Sequence, residues 1–211
     1  MKFQLSTALV GFAATAVLAQ DNQSASFTLH VKGTNYNSEI DGYGFSCHAG
    51  AAISGLCYAE GQLPNASVIS NSYRYNFNYS GFNQVGDDQV GTLVWGQPYT
   101  DENGNPASVS QAMSLVYQPT SNVAAPLFGF GQNVLLVGFD AEGGLFGYNY
   151  YDDSKFVAGQ QPTDYTPKAY YQWAVCWQYF TGYYYQSVAW VQTGAPRNPT
   201  CEAVEITKVD I

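Results

Sequence analysis

Apolar and polar residues alternate with a period of two along most of this chain. Ser26-Phe27-Thr28-Leu29-His30-Val31-Lys32 puts Phe27, Leu29 and Val31 on one side and the polar residues on the other, as a strand with one buried face requires. Val90 to Trp95, Ala112 to Tyr117, Val134 to Phe139 and Leu145 to Tyr150 follow the same rule. Turn-forming groups separate the runs: Asp41-Gly42, Gly86-Asp87-Asp88, Asn103-Gly104, Glu142-Gly143-Gly144 and Thr181-Gly182. No helical stripe longer than two turns interrupts them. Many short strands about 8–12 residues apart predict an all-β fold, a single β-sandwich or jelly-roll-like domain.

The stretch from Tyr170 to Val191 gives the most detailed expectation. With Thr181-Gly182 as a two-residue turn, one face of the hairpin pairs Trp173 with Trp190, Val175 with Val188, Trp177 with Gln186 and Tyr179 with Tyr184. The other face pairs Ala174 with Ala189, Cys176 with Ser187, Gln178 with Tyr185 and Phe180 with Tyr183. A slip of one residue would exchange every partner. Bulky aromatics usually fill the space between sheets, so Trp173, Trp177 and Trp190 are read as core. The rival reading is a platform on which sugar rings stack.

The first nineteen residues break the alternation. Lys2 precedes an uncharged stretch from Leu5 to Leu18, and Val17-Leu18-Ala19 supplies the small residues that signal peptidase reads. Residues 1–19 are therefore expected to be a cleaved signal peptide, and 20–211 a single mature β-sandwich domain. The apolar run falls short of the roughly 20 residues that a membrane span needs. An extracellular protein with no membrane partner is the expectation.

Composition narrows the choice of partner. The formal charge is −9, and loss of Lys2 makes the mature chain more acidic, which disfavours nucleic acid and anionic lipid. Only 11% of residues are charged while 16% are aromatic, with 18 Tyr, the reverse of a disordered chain. A surface built from Asn, Gln, Ser, Thr and Tyr hydroxyls suits a neutral polysaccharide or glycan.

Cys47, Cys57, Cys176 and Cys201 all lie beyond the leader, and an even number in an oxidising compartment reads as two disulfides. Three connectivities are possible, and sequence alone does not choose among them. Cys47–Cys57 with Cys176–Cys201 is preferred, because each closes a short stretch compatible with a hairpin or neighbouring strands. Zinc is disfavoured, since no Cys-x-x-Cys pair occurs and only His48 lies near a cysteine. Three Asn-x-Ser triplets make Asn65, Asn78 and Asn22 candidate glycosylation sites.

No catalytic signature emerges. Glycoside hydrolysis needs two carboxylates across one groove, and the candidates are Asp87-Asp88 and Asp152-Asp153, with Glu60, Asp140 and Glu142 as singles. Neighbours on a strand point to opposite faces, and each doublet adjoins turn residues, where Asp commonly caps the backbone. Asp101-Glu102-Asn103-Gly104-Asn105-Pro106 opens like a calcium loop, but Pro106 and Ala112 stand where that loop needs Gly and Glu. A turn on Asn103-Gly104 is expected instead. His30 and His48 have no nucleophile elbow to serve, so neither catalytic residue, metal nor cofactor is expected. Tyr148, Tyr150, Tyr151 and Asp152 form the candidate ligand-binding segment.

Cys47-His48-Ala49-Gly50-Ala51-Ala52 running to Gly55-Leu56-Cys57-Tyr58, Ser121-Asn122-Val123 with Pro126-Leu127-Phe128, and Trp173 with Cys176-Trp177 carry a resemblance. Thr181-Gly182-Tyr183, Ala189-Trp190-Val191 and Asn198-Pro199-Thr200-Cys201 extend it over most of the mature chain. In these residues the chain resembles a group of uncharacterised small secreted, cysteine-containing proteins of filamentous fungi. The resemblance implies extracellular residence and a shared sandwich fold, and it brings no activity with it.

The expectation is thus a secreted, non-catalytic β-sandwich that binds cell-wall or host glycans. Two alternatives accompany it: a glycoside-hydrolase-like, wall-active enzyme with an unrecognised carboxylate pair, and a secreted effector that binds a host protein.

Overall fold

The alternating segments become strands in a computed structural model of the chain, which describes residues 22–50, 52–63, 69–129 and 133–211. The expected leader at 1–19 and the candidate glycosylation site Asn65 lie outside the described residues. The strands are β1 (Asn22–Gln23), β2 (Phe27–Gly33), β3 (Asp41–Gly50), β4 (Ile53–Glu60), β5 (Tyr75–Val85), β6 (Asp88–Thr100) and β7 (Pro106–Val116). They continue as β8 (Val123–Phe128), β9 (Val137–Phe139), β10 (Leu145–Asn149), β11 (Lys168–Tyr170), β12 (Trp173–Phe180), β13 (Tyr183–Val191) and β14 (Glu202–Asp210). Two single-turn 3₁₀ segments, Asn71–Tyr73 and Asp153–Lys155, are the only helical elements among the described residues.

The fold is all-β, as the alternation predicts, and its pairings are antiparallel throughout. Hydrogen bonding runs through all 14 strands as one continuous sheet. The ladders pass from β5 through β6, β7, β8, β4, β3 and β2, then return to β5 at Phe27–Tyr75. Strands β14, β12 and β13 bridge from β2 to β4 and β8. The sheet therefore folds back over itself, and its inward side chains meet in one sandwich-like core. Phe27, Leu29, Tyr75, Leu93, Met113, Phe128, Val175 and Ile206 are all essentially sealed there. Burying such side chains contributes roughly 1.5–3 kcal/mol each against the entropy of ordering the chain.

The β12–β13 register is the one the turn predicts, from Trp173–Trp190 to Phe180–Tyr183. Thr181 (φ 47°) and Gly182 (φ 94°) both sit in the left-handed region, the geometry a two-residue hairpin of matching twist demands. A β-branched Thr is costly there; its hydroxyl donates to the Ala49 carbonyl of β3 and holds the tip in place.

Three local expectations are corrected. Asp41-Gly42 is the start of β3, not a turn. A Cβ on Gly42 would lie 2.1 Å from the Ala59 carbonyl oxygen, so glycine serves close backbone approach here. In the run Val134–Phe139 only Val137–Phe139 is strand. Val134 makes a lone bridge to Ser114, whereas Val137 and Gly138 pair with β6, so the segment changes partner midway. Trp177, read as core, is 43% exposed, because the hairpin outruns the layer that covers Trp173 and Trp190.

Both preferred disulfides are formed. Cys47–Cys57 joins β3 to β4 diagonally across a ladder in which Cys47 faces Gly55, with Cα atoms 5.8 Å apart. Cys176–Cys201 extends the β12–β14 ladder one step beyond Val175–Glu202, with Cα atoms 4.1 Å apart. Replacing either pair by serine is expected to cost about 3 kcal/mol, from closed loops spanning 10 and 25 residues. Urea unfolding of the two double variants checks this. No helix among the described residues is long and apolar enough to cross a membrane.

Candidate functional site

Strand β10 carries the chain to an open concavity. It pairs with β9 on one edge and β11 on the other, with Gly147 opposite both Val137 and Tyr170. A Cβ on Gly147 would lie 2.5 Å from the Trp190 ring, so glycine lets that indole approach the strand closely. The result is an open groove of about 710 Å³. Leu115, Leu135, Gly147 and Trp190 form its floor, and Tyr117, Tyr148, Tyr151 and Tyr170 line it with rings. Asn149, Gln172, Gln192 and Thr193 supply amides and a hydroxyl, and Asp152, Asp153 and Ser154 complete the lining.

Of the four candidate ligand residues, Tyr148, Tyr151 and Asp152 line this groove, while Tyr150 stands beside it with its ring edge-on to Tyr151 at 5.2 Å. Tyr151 also stacks on Phe156 at 6.0 Å, and Tyr150 meets Tyr165 at 6.4 Å. The segment after β10 is thus a rim held by ring contacts. Asp152 caps the 3₁₀ turn, its Oδ1 accepting from the Ser154 hydroxyl (2.6 Å) and backbone N–H (3.2 Å). Those bonds, with Lys155 and Lys168 nearby, hold its carboxyl below the usual range. Asp152 and Asp153 lie in a turn, not on a strand, so both border the same groove.

The rim is tied down again at Asp164, which accepts from the Thr166 N–H (3.0 Å) and the Lys168 ammonium (3.2 Å). These bonds, the Thr166 contribution first, pull the carboxyl down to about 2. A depressed folded value means that this contribution is present above the unfolded value near 4 and is lost as pH falls from about 4 to 2. The Asp164 carboxyl carbon is expected to titrate near pH 2 by NMR, and Lys168→Met is expected to move the midpoint upward. Elsewhere in the lining, partial burial pushes the Tyr117 hydroxyl up against a lowering bond to Gln192.

The other acids lie elsewhere. Asp87 belongs to the β5–β6 hairpin turn. Asp88 is raised by desolvation and by Asp140, Asp87 and Glu142. Asp140 organises the β9–β10 turn, accepting from the N–H groups of Glu142 and Gly144 and, at 2.8 Å, from the Tyr171 hydroxyl. Burial and that carboxylate push Tyr171 up to about 12. Asp101 spends its oxygens on Asn103 and Asn105, so the calcium-like stretch is a turn as expected. His30 pairs with Asp41 at 2.7 Å, and His48 packs edge-on against Tyr183. No group of three metal-ligating side chains occurs among the described residues. Of the candidate glycosylation sites, Asn22 is exposed on β1, and the Asn78 side-chain Oδ1 on β5 accepts from the Gln23 side-chain amide at 2.8 Å.

Sequence reasoning did not bring Tyr117, Tyr170, Gln172, Trp190 and Gln192 to the groove. They lie in or just after β7, β11 and β13 and meet Tyr148 only through long-range pairing, so no local signal marks them. No family model matches this chain, and no curated protein or solved structure is significantly similar to it. What fold and site define is a disulfide-bonded, all-β protein with an open groove lined by tyrosine and amide side chains.

Proposed function

We propose that this is an extracellular glycan-binding protein, with the groove between β10, β11, β13 and the Asp152 turn as its saccharide site. The observation that carries the reading is the groove's lining: four tyrosines and one tryptophan beside three side-chain amides, in a space of about 710 Å³. Aromatic faces cover the apolar face of a sugar ring, while their polar tips stay hydrated. A few placed polar groups then fix orientation, here Asn149, Gln172 and Gln192 with the Asp152 carboxylate. The leader pattern, the two disulfides and the resemblance to secreted fungal proteins support the extracellular setting.

Binding is favoured over hydrolysis by the state of the acids. A glycosidase needs one carboxyl held protonated, yet Asp152 is held ionised by its cap to Ser154. The carboxyl with a raised value, Asp88, belongs to the cluster around Asp140 and is absent from the groove lining. The test is titration calorimetry of the mature protein against cello-, chito-, laminari-, xylo- and manno-hexaoses. Saturable binding of at least one is expected. Binding of none would overturn the proposal, and release of reducing ends from a bound oligomer would turn it toward hydrolysis.

A further inference from the structure

Residues 169–196 contain no Asp, Glu, Lys, Arg or His, yet much of the β12–β13 hairpin they form is open to solvent. Its core-facing ladder is sealed at Trp173, Val175, Val188 and Trp190 and then emerges from the core. Trp177, Tyr179 and Tyr184 follow on that same face, 43%, 69% and 59% exposed. Trp177 and Tyr184 lie side by side, ring centroids 5.2 Å apart and planes inclined by 32°, and Tyr179 is directly opposite Tyr184.

The backbone beneath these rings is fixed. Trp177 donates its N–H to the Thr200 hydroxyl and accepts at its carbonyl from the Asn198 amide, each at 2.9 Å. The preceding residue, Cys176, is covalently tied to Cys201, and Thr181 binds Ala49 at the tip. Large apolar surfaces left exposed on rigid elements mark interaction sites. Protein interfaces draw heavily on Arg beside aromatics, and this hairpin has no charged residue at all. Flat rings with hydroxyl tips and no charge match a neutral sugar polymer.

We infer that Trp177, Tyr179 and Tyr184 form a second glycan contact, a platform that stacks on the surface of an insoluble, uncharged polysaccharide. It shares no residue with the groove. Tyr184 and Trp190 are six positions apart on β13, about 20 Å of extended chain. A short oligosaccharide in the groove therefore leaves the platform empty, whereas a polymer particle presents chains to both. Two contacts on one particle raise the apparent affinity through effective concentration.

The experiment compares the wild type with Trp177→Ser/Tyr179→Ser/Tyr184→Ser and with Trp177→Phe. Adsorption to microcrystalline cellulose, chitin and insoluble β-1,3-glucan is measured alongside hexaose calorimetry. The triple variant is expected to lose roughly tenfold or more in partition onto the polymer that the wild type binds. Its hexaose affinity and thermal midpoint should stay unchanged, and Trp177→Phe should keep adsorption. Unchanged adsorption in the triple variant overturns the inference, as does a wild type that adsorbs to none of the three. A wild-type dimer, seen by sedimentation and abolished in the triple variant with adsorption intact, also overturns it and assigns the face to a second copy of the chain. If the hexaoses fail to bind but adsorption still depends on the three rings, the groove reading falls and this one stands.

Discussion

Trp173→Ala is expected to destabilise the protein by about 5 kcal/mol. The indole is 2% exposed, sits edge-on to Trp190 at 4.7 Å and donates its N–H to the Leu145 carbonyl at 2.7 Å. Truncating a buried Trp costs about 3–5 kcal/mol through lost burial and the cavity left behind. Stranding a buried carbonyl adds about 1–3 kcal/mol. Against a typical total of about 5–15 kcal/mol, that is a third or more of the protein's stability. Trp173→Phe keeps a ring and loses the hydrogen bond, so a smaller loss, about 2 kcal/mol, is expected. Urea unfolding of both variants measures the two terms. A loss below about 1 kcal/mol for the alanine variant would contradict the core assignment of Trp173. Because Trp190 rests on Trp173 and floors the groove, saccharide affinity is expected to fall along with stability.

Tyr148→Ala/Tyr151→Ala separates binding from stability. Both rings line the groove; Tyr148 is half-buried and Tyr151 is 39% exposed. Each aromatic stacking contact is worth about 0.5–1.5 kcal/mol. Removing both is expected to weaken hexaose binding by about 1–3 kcal/mol, roughly 5- to 150-fold in Kd. Tyr148→Phe/Tyr151→Phe keeps the stacking faces and should lose no more than about tenfold, the share of the two hydroxyls. The thermal midpoint of the alanine variant should move far less than that of Trp173→Ala. Calorimetry and thermal unfolding on the same preparations check both halves. Equal affinity in wild type and double variant would place the saccharide elsewhere.

The hairpin from Trp173 to Val191 was legible because its register is set locally. Thr181-Gly182 can supply two left-handed residues in succession, and once it does, every partner follows from counting. The Cys176–Cys201 pairing was only preferred among three, because it closes a short stretch; the β12–β14 ladder, which brings Cys176 of β12 to Cys201 just before β14, decided it. Alternation also identified which face of β12 and β13 carries the tryptophans. How far the covering layer extends along that face is a different matter. Trp173 and Trp177 have the same parity and the same chemistry, yet one is sealed and the other exposed. The dipeptide Asp41-Gly42 carried a turn signal that the close approach of Ala59 overrode.

The segment Tyr148–Asp152 stood out by composition alone, and three of its four named candidates do reach the groove. Others in the lining did not stand out, because Tyr117, Gln172 and Gln192 are ordinary residues in their own surroundings.

By itself the sequence determined what depends on neighbours in the chain and on composition: the all-β class, the turn chemistry of the β12–β13 hairpin, an even set of cysteines and a tyrosine-rich chain with few charges. Only the tertiary structure decided which strands β10 and β13 would lie between, and hence that a groove opens over Trp190. Only it decided that the tip of the hairpin would outrun the core. Period-two alternation specifies which way a side chain points, and it carries no information about what the opposite layer places there.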